Sequence, residues 1–300
     1  MHEHIDFVSS SLKGYRVFKS RDELSAAEAA SIRAVVVAGE VELDHSVIAT
    51  LPNLKLIACL TAGYDGVDIE WARSRGLLVT HAICVNHEEV ADHVVAVLLA
   101  WHRGILSGDS AVRNGGWRGE EKIVTRSTEG RTLGIVGMGA VGRAVARRCA
   151  DLRMHVLWWG PNAKPDIGFE QTSDVLSLAE RSDVLVIASK ADKSNTHLID
   201  GEVLDCLGKE GLLINVARGS LLDERALIDR LESGKLGGAA LDVFEREPTP
   251  STKWSGVPNV ILTPHTAGAT NVVLPKLIHQ LQENLDALSH GEELVSPVSM

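Results

Sequence analysis

The chain contains 300 residues, of which 45% are hydrophobic and 23% are charged, and its formal net charge is −10 at pH 7. This length is sufficient for two domains of ordinary size, each with its own core. The acidic balance argues against a nucleic acid or an anionic membrane surface as a partner, because both require a basic face on the protein.

The cysteines and the N-terminal residues bear on the cellular compartment. The four cysteines show no CxxC or other paired spacing, and the first residues form neither the basic region nor the apolar core of a signal peptide. The longest apolar run, residues 94–101, is much shorter than the roughly 20 residues of a membrane-spanning helix. We therefore expect a cytoplasmic protein that does not enter a membrane.

Short apolar runs alternate with polar helical stretches in the N-terminal part of the chain. The runs at residues 34–38, 55–60 and 77–80 predict the strands of a small parallel sheet. In the loop between the last two runs, Gly63 and its neighbouring amides offer a cradle for a carboxylate. The same loop also fits a purely structural turn.

The next segment, residues 86–103, has a helical pattern with apolar residues at three- and four-residue steps. His87 and Glu88 resemble the start of a zinc-binding HExxH motif, but Ala91 replaces the second histidine, so we expect no metal site. Residues 107–128 are polar and rich in glycine, which predicts a connecting loop or an arm.

An apolar run at residues 132–136 leads into Gly-x-Gly-x-x-Gly and then into an Ala/Arg-rich helical segment. A strand, turn and helix of this kind fit a dinucleotide-binding loop. Gly137 would form the turn, Gly139 would let the backbone approach a pyrophosphate, and Gly142 would let the helix pack close to the strand. The residues between the glycines are further candidate cofactor contacts: Met138, Ala140 and Val141. A structural turn without a ligand is the alternative.

The residues after the next predicted strand, 155–159, bear on the choice of cofactor. NAD-binding folds usually place Asp or Glu about 20 residues past the glycine motif, to bind the ribose, but this chain has Gly160 there. The missing carboxylate removes repulsion against a 2′-phosphate, while Asn162 and Lys164 offer it a hydrogen bond and a positive charge. We therefore expect NADP(H), with NAD(H) as the alternative if Lys164 is only a solvated loop lysine.

Apolar runs at residues 184–188, 212–216, 238–243 and 260–263 predict strands that are covered by helices on both faces. In a doubly wound sheet, ligands bind outside the carboxyl ends of the strands. The residues just past these ends are therefore site candidates: Ser189, Lys190, Ala217, Arg218, Asp242, Glu247 and His265.

One arginine, one glutamate and one histidine among these candidates match the needs of carbonyl reduction. Hydride transfer to a carbonyl requires a cation that polarises the substrate and an acid that protonates the developing alkoxide. Arg218 can supply the first and His265 the second, while Glu247 can pair with the imidazole and favour its charged form. Taken singly, each of the three also fits a plain surface or loop position.

Segments in a fixed order along nearly the whole chain resemble the D-isomer-specific 2-hydroxyacid dehydrogenase family. Its substrate loop resembles TAGYD at residues 61–65, and its cofactor loop resembles GMGAVG at 137–142. Its arginine, glutamate and histidine segments resemble NVARGSLLD at 215–223, ALDVFEREP at 240–248 and LTPH at 262–265.

The resemblance implies an α/β fold with two doubly wound parallel-sheet domains. A Rossmann-type dinucleotide-binding domain would span residues 101–274, and a discontinuous flavodoxin-like substrate-binding domain would combine 1–100 with 275–300. It also implies that Arg218, Glu247 and His265 are the catalytic set and that the chain forms a homodimer. Further implied contacts are Asp242 and Gly268 for the cofactor, and Ala62 and Gly63, with Arg218 and His265, for the substrate carboxylate and carbonyl.

Within the family, the sequence WWGP at residues 158–161 and the short length are most similar to glyoxylate/hydroxypyruvate reductases. We therefore expect an NADP(H)-preferring enzyme that reduces small 2-oxo acids to D-2-hydroxy acids. The chain departs from the family's usual Cys-Pro-Leu pattern at 188–190, where Lys190 is either a phosphate ligand or an exposed loop residue. The alternatives are phosphoglycerate, formate or phosphite oxidation, and a dinucleotide-sensing protein of the corepressor type.

Overall fold

The computed structural model of the chain describes residues 2–20, 22, 24–117 and 124–298. The chain folds as two compact units: Met1–Asn86 with Thr270–Met300 form unit 1, and His87–Ala269 form unit 2. Arg118 and Gly119, which belong to the predicted loop 107–128, lie outside the described residues.

The first part of unit 1 alternates helices with short strands. The helices are α1 (His2–Ser11), α2 (Ala26–Ser31), α3 (His45–Ile48) and α4 (Ile69–Ser74), and the strands are β1 (Ala34–Val37), β2 (Leu56–Cys59) and β3 (Leu78–Thr80). The strands are parallel and pair in the order β1-β2-β3. The central strand β2 is buried along its whole length because apolar clusters cover both of its faces.

Unit 2 contains a seven-stranded parallel sheet in the order β10-β9-β8-β7-β4-β5-β6. Its helices are α5 (His87–His102), α6 (Ile105–Arg113), α7 (Ala140–Asp151), α8 (Val175–Glu180), α9 (Gly201–Leu207), α10 (Glu224–Glu232) and α11 (Ser251–Trp254). Its strands are β4 (Thr132–Val136), β5 (His155–Trp159), β6 (Glu170–Gln171), β7 (Val184–Ile187), β8 (Leu212–Asn215), β9 (Gly238–Leu241) and β10 (Val260–Leu262). The strand order reverses between β4 and β7, which makes the sheet doubly wound.

The chain returns to unit 1 with α12 (Val273–His290), which packs Leu281 and Leu285 against Leu56 and Ala58 of β2. The predicted α/β fold with a parallel sheet in each of two domains is confirmed. Among the described residues, no single helix has both the length and the apolar character to cross a membrane; only α5 and α6 together, bent by 56°, meet those criteria.

Two expectations about the middle of the chain need correction. The compact units divide at 86/87 and 269/270 rather than at 100/101 and 274/275, because α5 buries Val94 and Leu98 in one cluster with Leu133 and Ile135 of unit 2. The expected loop 107–128 begins inside α6, a helix that buries none of its residues.

Candidate active site

The glycine loop between β4 and α7 has the geometry that a dinucleotide-binding turn requires. Gly137 has a φ of +94°, and a Cβ there would lie 2.5 Å from Ser189 Cα. A Cβ on Gly142 would lie 2.1 Å from the carbonyl oxygen of Gly137, so the helix can approach the turn only with glycine there. A Cβ on Gly139 meets no atom of the described residues within 4 Å, so the surface of the loop is open at this residue.

The start of α7 offers donors beside this open surface that no described residue pairs. Gly139 is the N-cap and provides no side-chain cap, so the first-turn amides, which include those of Ala140 and Val141, remain available to an anion. Ser189 Oγ, next to Gly137, is buried and has no hydrogen-bond partner among the described residues. Buried hydroxyls nearly always have partners, so these groups fit a bound dinucleotide.

The loop after β5 lies against the glycine loop. Gly137 N donates to Trp159 O at 2.8 Å, and Lys164 Nζ donates to Met138 O at 2.8 Å. Gly160 follows β5 as expected, and the neighbouring Asn162 is exposed. The first acidic residue beyond β5, Asp166, pairs with Arg143 of α7 at 2.8 Å, a contact that the sequence did not predict.

The turns after β8, β9 and β10 carry the three expected catalytic residues at one edge of the sheet. These strands are adjacent and parallel, and they end at Asn215, Leu241 and Leu262. A Cβ on Gly219 would lie 1.8 Å from the carbonyl carbon of Phe244. The turn that carries Arg218 therefore packs directly on the backbone of the loop that carries Glu247.

His265 and Glu247 are in direct contact. His265 Nδ1 lies 2.7 Å from Glu247 Oε2, and the other carboxylate oxygen accepts a hydrogen bond from Phe244 N at 3.0 Å. Because a carboxylate only accepts hydrogen bonds, Nδ1 carries the proton in this pair. This leaves Nε2 as the nitrogen that can exchange a proton with a substrate.

Asp242 holds the backbone turn that presents His265. His265 has a φ of +54°, in the left-handed region that is strained for residues other than glycine. The buried Asp242 carboxylate accepts hydrogen bonds from Thr263 Oγ1 at 2.6 Å and from the amides of Thr266 and Ala267 at 2.9 Å. Its role in this structure is therefore to support the His265 turn, and Gly268 follows that turn directly.

A histidine of α5 extends this support. His93 Nε2 lies 3.3 Å from Thr263 Oγ1. The Thr263 hydroxyl donates its proton to Asp242, so it can only accept a hydrogen bond from His93, and the donor is His93 Nε2. This contact could not be predicted from the sequence, because most of unit 2 separates His93 from Thr263 along the chain.

The Arg218 turn is held by a buried asparagine. Asn215 Nδ2 donates to Arg218 O at 3.0 Å, and Asn215 Oδ1 accepts from Ala217 N at 3.1 Å. The guanidinium is half-buried, and its Nη1 donates to Ala217 O at 2.7 Å. Lys190, by contrast, is exposed, and its carbonyl oxygen accepts from Asn195 Nδ2 at 2.9 Å.

The loop after β9 is anchored by a buried charge. Glu224, only 1% exposed, accepts a hydrogen bond from Glu245 N at 2.7 Å and forms an ion pair with Lys253. Lys253 Nζ also lies 3.5 Å from Glu245 Oε2. These contacts fix the backbone two residues before Glu247.

In unit 1, the predicted carboxylate loop is shaped by its neighbours. His81 Nδ1 donates to Ala62 O at 2.8 Å, and a Cβ on Gly39 would lie 2.0 Å from Gly63 O. Within the described part of the chain, the amides of Ala62 and Gly63 donate to no other residue. Unpaired backbone amides of this kind suit a carboxylate.

Comparison with known protein families gives a match over residues 95–267 to the model described as D-isomer specific 2-hydroxyacid dehydrogenase, NAD binding domain. The chain belongs to this family. As a 2-hydroxyacid dehydrogenase, it is an NAD(P)-dependent oxidoreductase that acts on small 2-hydroxy or 2-oxo acids.

Relatives of this 2-hydroxyacid dehydrogenase include reductases of several 2-oxo acids. It is 36% identical to glyoxylate/hydroxypyruvate reductase A of Arabidopsis thaliana over 89% of this chain and 86% of the relative. It is also 36% identical to hydroxyphenylpyruvate reductase of Plectranthus scutellarioides, over 95% and 93%. Its fold matches that of an NADPH-dependent glyoxylate/hydroxypyruvate reductase of Sinorhizobium meliloti, crystallised with NADP and malonate, with a TM-score of 0.84, 32% identity and coverage of 93% and 88%.

Proposed function

We propose that this dehydrogenase is an NADPH-preferring reductase of glyoxylate and hydroxypyruvate that forms D-2-hydroxy acids. The observation that carries the proposal is the hydrogen bond of 2.7 Å between His265 Nδ1 and Glu247 Oε2. Because this bond occupies Nδ1, Nε2 is the nitrogen that can give a proton to the substrate. Similarity to glyoxylate/hydroxypyruvate reductases supports the substrate class.

The proposed roles follow from the chemistry of each group. When bound, the nicotinamide supplies the hydride that adds to C2 of the 2-oxo acid. His265 Nε2 gives its proton to the carbonyl oxygen, and Glu247 stabilises the charged imidazole until that transfer. Arg218 binds carbonyl and carboxylate oxygens of the substrate and polarises the carbonyl. The backbone amides of Ala62 and Gly63 are the proposed donors to the substrate carboxylate.

The cofactor preference rests on the loop after β5. Gly160 brings no carboxylate to the ribose position, and Lys164 and Asn162 lie in the loop that contacts Met138. A negatively charged 2′-phosphate is therefore favoured there over a free ribose hydroxyl. Ser189 and Gly268 complete the proposed cofactor contacts.

A homodimer and a cytoplasmic location belong to the same proposal. Helix α6 exposes Ile105, Leu106 and Val112 by more than half, and Trp117 beyond it is 79% exposed. Apolar patches of this kind are typical of subunit interfaces.

The four cysteines of the chain are all free, which suits a reducing compartment.

A substrate and cofactor screen tests this function. Purified protein is assayed with glyoxylate, hydroxypyruvate, pyruvate and phenylpyruvate, each with NADPH and with NADH. We expect the highest kcat/KM for glyoxylate or hydroxypyruvate with NADPH. A higher kcat/KM for phenylpyruvate than for glyoxylate and hydroxypyruvate would contradict the proposed substrate class. Binding of NADPH without turnover of any acid would favour a dinucleotide-sensing protein.

A further inference from the structure

The loop after β5 is tied to the start of α7 by two cations. Lys164 Nζ donates to Met138 O at 2.8 Å, and Arg143 Nη1 pairs with Asp166 Oδ2 at 2.8 Å. Arg143 directly follows Gly142, the last glycine of the cofactor loop. Both cations therefore lie where the glycine loop meets the segment that follows Gly160.

The charge balance of this cluster, consisting of Arg143, Lys164 and Asp166, is positive. Asp166 is its one carboxylate, and the hydrogen bond from Arg143 holds the pKa of that carboxyl below its usual value, with a smaller effect from Lys164. The carboxylate therefore stays ionised and occupies Arg143 at neutral pH. Two cations and one anion leave one uncompensated positive charge.

A phosphate can replace Asp166 as the partner of Arg143 at little cost in free energy. The two side chains are 42% and 64% exposed, and exposed ion pairs of this kind contribute little to stability because water and salt screen them. A phosphate has three acceptor oxygens and close to two negative charges, and an arginine can bind it in a bidentate manner. A phosphate at this edge would therefore compete successfully for the guanidinium.

We infer that Arg143 is a second cation for the 2′-phosphate of NADP, and that Asp166 holds the guanidinium when no phosphate is bound. This inference rests on the proposed NADPH preference. It assigns part of that preference to a residue of the glycine-loop helix rather than to the loop after β5 alone.

Nucleotide fragments test the inference without any catalytic step. Calorimetric titration compares 2′,5′-ADP, which carries the 2′-phosphate, with 5′-AMP, which lacks it. In the wild type we expect tighter binding of 2′,5′-ADP. Arg143→Gln should weaken 2′,5′-ADP about tenfold or more, since a charge-assisted hydrogen bond is lost, and should leave 5′-AMP affinity unchanged. Asp166→Asn should tighten 2′,5′-ADP a few-fold, because Arg143 loses its competing partner.

The control is Arg153→Gln, which removes a comparable exposed arginine, paired with Glu129 at 2.9 Å; it should leave both affinities at wild-type values. Retained 5′-AMP binding shows that each variant keeps its nucleotide site, and Asp166→Asn tests the inference even if Arg143→Gln fails to fold. If the wild type prefers 2′,5′-ADP and neither variant changes that preference, Arg143 is excluded while the proposed cofactor stands. If the wild type binds the two fragments equally, the NADPH preference and this inference both fail.

Discussion

His265 and Glu247 illustrate how one hydrogen bond assigns chemical roles to two side chains. The carboxylate receives Nδ1–H at 2.7 Å and is itself oriented by Phe244 N at 3.0 Å. The imidazole is therefore fixed at one nitrogen and reactive at the other. Asp242 supplies the backbone support, so a strained residue with a φ of +54° is maintained at the site.

Gly160 offers a direct test of the cofactor preference. In the described part of the chain, a Cβ there would meet only ring carbons of Trp158, at 3.4 Å and 3.8 Å, so an aspartate fits without displacing the backbone. Gly160→Asp would place a carboxylate beside the ribose, where it repels a 2′-phosphate and accepts hydrogen bonds from a free hydroxyl. We expect the ratio of kcat/KM for NADPH to that for NADH to fall at least about tenfold, equivalent to roughly 1.4 kcal/mol.

Gly168→Asp is the matched control, because a Cβ at Gly168 meets no described atom within 4 Å and an aspartate fits there as well; it should leave that ratio near the wild-type value. An unchanged ratio in Gly160→Asp would show that this position does not decide the preference.

Among the elements, apolar runs predicted every described strand of both sheets except β6, whose Glu170 and Gln171 are polar and exposed. Helix α6 was missed because Gly108 and polar neighbours interrupt its apolar pattern and none of its residues reaches a core. The glycine roles and the His265–Glu247 contact could be predicted from motif order. The Arg143–Asp166 pair and the support of the His265 turn by Asp242 could not, because they depend on how separate loops meet.

An ion-pair cluster joins α5 to α7 and makes the stability of unit 2 depend on pH. Hydrogen bonds from Arg148 and then from Arg147 lower the pKa of Glu88 from its ordinary value of 4.5 to about 2. A carboxyl with a lowered pKa in the folded state stabilises the fold above its unfolded pKa, and this contribution is lost as pH falls toward 2.

Glu88→Gln should therefore reduce the free energy of unfolding at pH 7, by less than about 1 kcal/mol because the group is partly exposed and screened. Urea unfolding at pH 7, 5 and 3.5 measures this difference, which should shrink between pH 5 and 3.5. Glu70→Gln, at an exposed first-turn glutamate of α4, is the control. A difference that grows on acidification would contradict the assignment.

At the scale of the whole molecule, the proposed dimer can be tested through α6. Sedimentation equilibrium should give twice the 32.3 kDa mass of the chain. Leu106→Glu should shift the equilibrium toward the monomer, because it places a charge on an apolar side chain that is 56% exposed. Val41→Glu changes an apolar residue of unit 1 that is 65% exposed and should leave the dimer intact. A wild-type monomer would contradict the proposal.

The proposed catalysis depends on proton donation by His265. The kcat of NADPH-dependent glyoxylate reduction is compared between the wild type, His265→Ala and a control, His279→Ala, which changes an exposed histidine of α12. Cofactor affinity is measured alongside by fluorescence titration. We expect His265→Ala to lose about 10²–10⁴-fold in kcat, the usual contribution of a general acid, while its NADPH affinity and the kcat of His279→Ala stay near wild-type values. If the kcat of His265→Ala stays within about twofold of the wild-type value, His265 is not the general acid and the proposed mechanism is wrong.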